Sequence, residues 1–264
     1  MSPATGAGLS ISAFFPAFND AQSLRVLIPR TVETLQSLAQ DFEIIVIDDG
    51  SADETPQTLA DFERQFPFLR VVCHPRNLGY GAALRSGFQA ASKDLVFYTD
   101  GDGQYDVVEL KDLFAQLGAD VDFVNGFKIK RADSLSRRLI GRFYEGLVKV
   151  LFRLHIKDVD CDFRLMRRQV LEAVHLTFSS GAICAELMAQ VERAGFRIAE
   201  VPVHHYPRAS GESQFFRIGP VARTMVDLLR LWVRLIVLRR GPRTAASRGT
   251  PPTVQERPEV RVSK

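Results

Sequence analysis

The pentad Asp100-Gly101-Asp102-Gly103-Gln104 follows the apolar run Leu95-Val96-Phe97-Tyr98, which reads as a short buried strand. Two carboxylates one residue apart at a strand end lie close together, and the flanking glycines let a ligand approach the backbone. Paired hard oxygens suit Mg2+ or Mn2+, and such an ion usually binds a diphosphate as well. The same five residues also make a plain polar turn with solvated acids, so the rest of the chain has to decide.

Three more polar clusters each follow an apolar run: Asn19-Asp20, Asp48-Asp49-Gly50-Ser51 and Asn77-Leu78-Gly79-Tyr80-Gly81. The elements that would position them alternate between strand and helix patterns. Leu9–Phe15, Phe42–Ile47, Leu69–Cys73, Leu95–Thr99 and Val121–Val124 read as strands. Ala21–Ala39, a segment from Ser51 to Phe66, Gly79–Ser92 and Val107–Gln116 read as helices, with Ser51 and Glu54 at capping-box spacing. Repeated strand–helix units predict an α/β fold with a mostly parallel sheet covered on both faces. Ligands of such sheets bind at the carboxyl ends of the strands, where all four polar clusters fall.

Beyond Val124 the pattern changes. Leu139–Ile156 reads as a long helix with its charges on one stripe, and Phe196–Val203 as one more strand. Phe215–Leu238 reads as a second amphipathic helix, with Arg223, Arg230 and Arg234 opposite Val226, Leu229, Trp232, Val233, Ile236 and Val237. Arg on the polar face, Trp232 on the other and a basic segment following are the composition of a helix lying in a membrane interface. Residues 241–264, rich in Pro, Thr and Arg, read as a disordered tail, and residues 1–8 as a flexible lead.

Composition is ordinary for a globular chain, with 46% hydrophobic and 25% charged residues. The net charge of +3 is unevenly spread. Residues 239–264 hold seven Lys/Arg and two Glu, a net +5, which leaves −2 on residues 1–238. The body is therefore no nucleic-acid binder by charge. Three widely spaced cysteines make neither a disulfide framework nor a zinc site. Residues 1–8 lack the pattern of a signal peptide, and no apolar stretch is long enough to span a bilayer.

With these motifs in order, residues 9–214 resemble the family 2 inverting glycosyltransferases, nearest to the dolichyl- or polyprenyl-phosphate mannose and glucose synthases. The resemblance rests on Pro16-Ala17-Phe18-Asn19-Asp20, Asp48-Asp49-Gly50-Ser51, and Asn77-x-Gly79-x-Gly81 with Gly87. It continues in Asp100-Gly101-Asp102 with Gln104, Asp158 to Arg164, and Glu200-Val201-Pro202-Val203 followed by Arg208, Gly211, Glu212 and Ser213. It implies one nucleotide-sugar-binding domain of the glycosyltransferase A type and a divalent ion, Mg2+ or Mn2+. Pro16, Asn19 and Asp20 would then line the base and ribose pocket, and Asp48 would hydrogen-bond the base. Asp49, Gly79, Gly81 and Ser213 would join them around the donor. Asp100, Asp102 and Gln104 would hold the metal, and Arg208 would act with the two acids in catalysis, closing over the phosphates with Ser213. Asp162 stands where the family has Gly.

Residues 9–214 are then the catalytic domain and 215–240 an interfacial helix. A hydroxyl acceptor needs a carboxylate base, whereas a phosphate acceptor is already ionised and needs cations to place it. Lys128, Lys130, Arg131, Arg137 and Arg138 lie just past the fifth strand, and Arg164 closes the motif that starts at Asp158. The expected partners are a nucleoside diphosphate sugar, a polyprenyl phosphate, a membrane surface at its cytoplasmic face and, as a further option, a second copy of the chain. The rival acceptor is a saccharide hydroxyl, with Asp158, Asp160 or Asp162 as base. A phosphatase with Asp100 as nucleophile fails because that motif belongs on the first strand, with its other acids downstream. A dinucleotide oxidoreductase fails because Leu84 stands where a third small residue is needed.

Overall fold

The computed structural model describes residues 8–131, 135–208 and 218–241. Seven strands form one sheet: β1 (Ile11–Ala17), β2 (Phe42–Asp48), β3 (Leu69–Cys73), β4 (Leu95–Thr99), β5 (Phe123–Arg131), β6 (Phe163–Arg167) and β7 (Ile198–His205). Their spatial order is β3-β2-β1-β4-β6-β5-β7. All pairs are parallel except those made by β6, which runs antiparallel to both β4 and β5. The α/β expectation of a mostly parallel, doubly covered sheet therefore holds.

The central strands β1, β2 and β4 are mostly apolar because both faces of the sheet are covered. Along β1 the side chains part by turns: Phe14 joins one core, Ala13 and Phe15 the other. The second core is closed by α1 (Ala21–Leu38), α2 (Thr55–Gln65) and α4 (Leu110–Gln116). Helix α1 buries Leu24, Leu27, Ile28, Thr31, Val32 and Leu35, the three-and-four spacing of a single helical face. The first core is closed by α3 (Tyr80–Ala90), α5 (Leu135–Phe152), α6 (Arg168–Ala173), α7 (Ala182–Arg193) and α8 (Ile218–Trp232).

Register sets the site. Ala17, Asp48 and Cys73 pair across β1, β2 and β3, so the loops after them start level at one edge. Strand order reverses between β1 and β4, which opens the crevice where sheets of this kind bind ligands. The antiparallel β6 begins at that same edge, because Thr99 pairs with Phe163. That delivers residues 158–162 beside Asp100.

Several expected boundaries shift. The capping box is not formed: Ser51 Oγ accepts from the Asn19 backbone N–H (2.9 Å), and Asp53 caps the Thr55 N–H (2.9 Å) where α2 starts. The strand expected at Val121–Val124 runs on to Arg131, and the helix expected at Leu139–Ile156 is Leu135–Phe152. No element was read between 157 and 195, where β6, α6 and α7 lie.

The expected interfacial helix is divided in its loyalties. Helix α8 ends at Trp232 and continues as a π-helical turn, Val233–Val237. Leu228, Leu231 and Leu235 are buried in the first core, and Trp232 and Ile236 pack against it. The expectation that Trp232 lies on the free stripe is thus corrected. Arg234 is corrected too: it donates to Thr177 Oγ1 (2.8 Å) and to the wholly buried Glu186, so it faces the protein. The exposed stripe is Val221, Met225, Val226, Leu229, Val233 and Val237. Among the described residues no helix is long and apolar enough to cross a membrane.

Candidate active site

The two acids of the pentad leave the end of β4 in different company. Asp102 is buried; its Oδ1 accepts from the Gln104 N–H (3.0 Å) and its Oδ2 from Arg208 Nη2 (2.8 Å) and Nε (3.3 Å). Asp100 Oδ1 accepts from the Tyr80 hydroxyl (2.8 Å). Burial, and then the charges of Asp162 and Asp102, push the Asp100 carboxyl well above the usual range. Gln104 ties this turn to the strand at the other end of the sheet. Its Nε2 donates to the Tyr206 carbonyl (2.9 Å), and its own carbonyl accepts the Tyr206 N–H (2.8 Å). That pairing brings Arg208, two residues on, to Asp102.

The loops after β1 and β2 are sewn together. Asn19, in the left-handed region at φ 58°, accepts the Ala52 N–H on its Oδ1 (2.8 Å). Asp48 is buried and accepts the Ser51 N–H (2.9 Å). Asp20 accepts the Phe18 N–H (3.0 Å), and burial raises its carboxyl to about 6, against the pull of that bond and of Arg208. Asp20 thus stands in the field of the Asp102–Arg208 pair, closer to the acids than a base-pocket role required. The Pro16 carbonyl accepts the Gly101 N–H (3.1 Å), which joins the β1 end to the pentad.

Asp49 lies in a network of its own. Its carboxylate accepts the N–H groups of Leu78 (2.8 Å) and Gly79 (2.9 Å) and contacts His74 Nδ1 (2.6 Å), whose Nε2 meets Ser86 Oγ (2.9 Å). It organises the loop before α3. His74, the residue after β3, belongs to the same cluster.

Arg164 is enclosed rather than open to an acceptor. It is 0% exposed, and its guanidinium donates to Asn125 Oδ1 (2.9 Å), the Tyr98 hydroxyl (2.5 Å) and the Val159 carbonyl (2.5 Å). A group so enclosed cannot meet an acceptor phosphate. It sets the floor of the site, 3.6 Å from Asp162 Oδ1, which also accepts from Tyr98 (3.3 Å) and Cys184 (3.2 Å). The sequence reading assigns no site role to Tyr98, Asn125 or Tyr80; a polar residue inside an otherwise apolar strand was the available signal for the first two.

Lys128 reaches inward, with Nζ donating to the Asp160 carbonyl (2.7 Å). Burial pushes the Asp160 carboxyl up to about 7, with Lys128 opposing and Asp158 adding to the shift. Arg131 ends β5, and Arg137 and Arg138 start α5, but their side chains lie outside the described residues, as does all of Ser213. His204 contacts Glu109 (2.5 Å).

The donor set fits a divalent ion. No three His, Cys, Asp or Glu residues cluster as a complete cage among the described residues, but Asp100 and Asp102 supply two carboxylates beside further buried negative charge from Asp162. Mg2+ characteristically uses one or two carboxylates and completes its shell with substrate phosphates and water.

Residues 12–174 match glycosyl transferase family 2. The chain belongs to this family. Glycosyltransferase AglD of Haloferax volcanii is 31% identical over 243 residues, 89% of this chain and 39% of that protein. Undecaprenyl-phosphate 4-deoxy-4-formamido-L-arabinose transferase of Enterobacter sp. is 30% identical over 209 residues, 78% of this chain and 62% of that protein. The chain thus spans less than two thirds of the length of either relative. Among solved structures, glucosyl-3-phosphoglycerate synthase from Mycobacterium tuberculosis, in complex with Mn2+, uridine diphosphate and phosphoglyceric acid, superposes with a TM-score of 0.67. Sequence identity is 20%, covering 85% of this chain and 79% of that one. The same synthase with Mg2+ and uridine diphosphate gives 0.65. At this identity the likeness shows the shared fold, and the family 2 assignment rests on the sequence match.

Proposed function

We propose that this family 2 chain transfers a hexose, with inversion, from a nucleoside diphosphate sugar of the GDP-mannose or UDP-glucose type to a polyprenyl phosphate. The observation that carries the reading is the meeting of Asp100, Asp102 and Arg208 at the sheet's switch point. Asp100, Asp102 and Gln104 would hold Mg2+ or Mn2+. The ion would neutralise the departing diphosphate as its bond to the sugar breaks. Arg208 adds a fixed positive charge beside the same phosphates, with Ser213 following it in the chain. Pro16, Asn19, Asp20 and Asp48 would bind the base and ribose from the joined loops after β1 and β2.

The metal is supported by the Mn2+ and Mg2+ in the mycobacterial synthase crystals. The lipid acceptor is supported by the name of the Enterobacter relative and by the exposed apolar stripe of α8. An ionised phosphate needs no base, and Lys128, Arg131, Arg137 and Arg138 would place it. The catalytic body would be residues 9–214, with residues 215–240 resting on the cytoplasmic membrane face and the basic tail beyond them.

One observation favours a second reading. Asp160, poised at about 7, has the proton affinity of a general base, which a saccharide hydroxyl acceptor would need. A panel of nucleotide sugars offered with polyprenyl phosphate and with soluble saccharides, scored by lipid extraction of labelled product, separates the two. Product confined to the aqueous phase would remove the lipid reading.

A further inference from the structure

We propose that Tyr80 is a positioning residue for the divalent-ion site: its hydroxyl holds the Asp100 carboxylate in the orientation that binds the cation. This rests on the reading of Asp100 as a metal ligand. The bond from Tyr80 to Asp100 Oδ1 (2.8 Å) is the one hydrogen bond that this carboxylate makes among the described residues.

The loop is built to aim Tyr80. Asp49 accepts the N–H groups of Leu78 and Gly79 from one side. From the other side, the Ser179 carbonyl accepts the Gly81 N–H (3.0 Å). Gly79 has φ +99°, and a Cβ there would stand 2.7 Å from the Ser179 carbonyl oxygen. A Cβ on Gly81 would stand 2.6 Å from the Phe178 carbonyl oxygen. Only glycine allows both approaches, so Tyr80 is fixed between two pinned residues at the first position of α3. Its ring packs against the first core, and only its hydroxyl reaches the acids.

The chemistry of the side chain suits the task. Asp100 sits with Asp162 and Asp102, and a carboxylate with no donor to hold it is free to turn away from such neighbours. A lysine or arginine would restrain it but would compete with the divalent ion for the same charge. A phenol donates one hydrogen bond and adds no charge, leaving the carboxylate anionic for the metal.

The test measures Mn2+ binding by electron paramagnetic resonance, with excess UDP and separately with excess GDP, for the full chain and for Tyr80→Phe and Asp100→Asn. Loss of a hydrogen bond to an ionised group predicts roughly tenfold weaker Mn2+ binding in Tyr80→Phe. Its turnover should return to normal at saturating Mn2+, and its metal-free melting temperature should match the parent's. Asp100→Asn should lose Mn2+ binding altogether. If Asp100→Asn loses the ion while Tyr80→Phe binds it like the parent, the role of Tyr80 is overturned and the metal reading stands. If Asp100→Asn binds Mn2+ normally, both fall. A Tyr80→Phe protein that melts early without metal, or whose turnover excess Mn2+ cannot restore, assigns the hydroxyl to the fold and overturns the proposal.

Discussion

Asp102 is buried and Asp160 half-buried, and removing their charges should have different consequences. Asp102 faces Arg208 at the end of β4 and contributes little to either core. Asp102→Asn should therefore keep the melting temperature within a few degrees while donor turnover falls by at least about 100-fold, the scale of lost electrostatic stabilisation in an active site. Turnover near the parental rate, or a rate independent of Mn2+, would contradict the assignment. Asp160 carries its raised value of about 7 because burial penalises its charge. The folded chain then binds a proton that the unfolded chain releases near 4, so stability falls as pH rises from about 4 to about 7. Asp160→Asn should match the parent's unfolding free energy at pH 4 and exceed it at pH 8, by about 1–4 kcal/mol. Urea unfolding at the two pH values checks this, and a gap that does not widen with pH tells against a buried charge. At this scale the strand-end acids were legible only together, since four polar clusters each follow an apolar run and register brings the strand ends level. Arg164 was misread because a sequence does not distinguish an arginine reaching for solvent from one enclosed by Tyr98, Asn125 and Val159. Tyr80 was passed over because a neutral phenol between two glycines carries no charge signal.

Among the elements, legibility followed amphipathicity. The first five strands announced themselves as apolar runs and the helices between them by their period, and their edges moved by only a few residues, with β5 the exception. Helix α7 did not: ten consecutive residues, Ala182–Val191, are buried, so no polar face marks its period. Strand β6 was hidden by Arg164 near its start and by its antiparallel course, which no repeat of strand and helix predicts. Helix α8 was read as amphipathic with one apolar face; it has two. The inner one gives a control for the outer one. Leu231→Ala, at 0% exposure, should cost about 2–5 kcal/mol through lost burial and the cavity left behind. Leu229→Ser, at 61% exposure, should leave stability within about 0.5 kcal/mol and yet weaken sedimentation with anionic liposomes. Unaltered liposome binding in Leu229→Ser would remove the stripe from the membrane reading.

For the whole molecule, the partition of charge gives a test that the packing of α8 makes cleaner. Cutting the chain before Phe215 would remove Leu228, Leu231 and Leu235 from the first core and break the bond from Ser180 to Asp227 (2.8 Å), so lost binding would only report lost folding. Ending the chain at Arg240 keeps every one of those contacts. Residues 241–264 hold five Lys/Arg and two Glu, so the shortened chain loses a net +3 and retains the apolar stripe. Each basic residue near an anionic leaflet is worth about 1 kcal/mol, and the attraction falls off within a Debye length of about 10 Å at 0.1 M salt. The full chain should therefore bind anionic liposomes more tightly than the shortened one at low salt, and the advantage should shrink as salt rises. Binding through the stripe alone should vary little with salt in the shortened chain. Donor hydrolysis should be equal in the two, because the donor motifs end before the cut. Transfer to polyprenyl phosphate presented in those liposomes should follow binding, falling with salt in the full chain and starting low in the shortened one. If the two chains bind liposomes equally at every salt concentration, the tail contributes nothing to attachment. If transfer to lipid phosphate ignores attachment altogether, the acceptor reaches the site by another route, and the saccharide reading with Asp160 as base gains the ground that α8 was thought to hold.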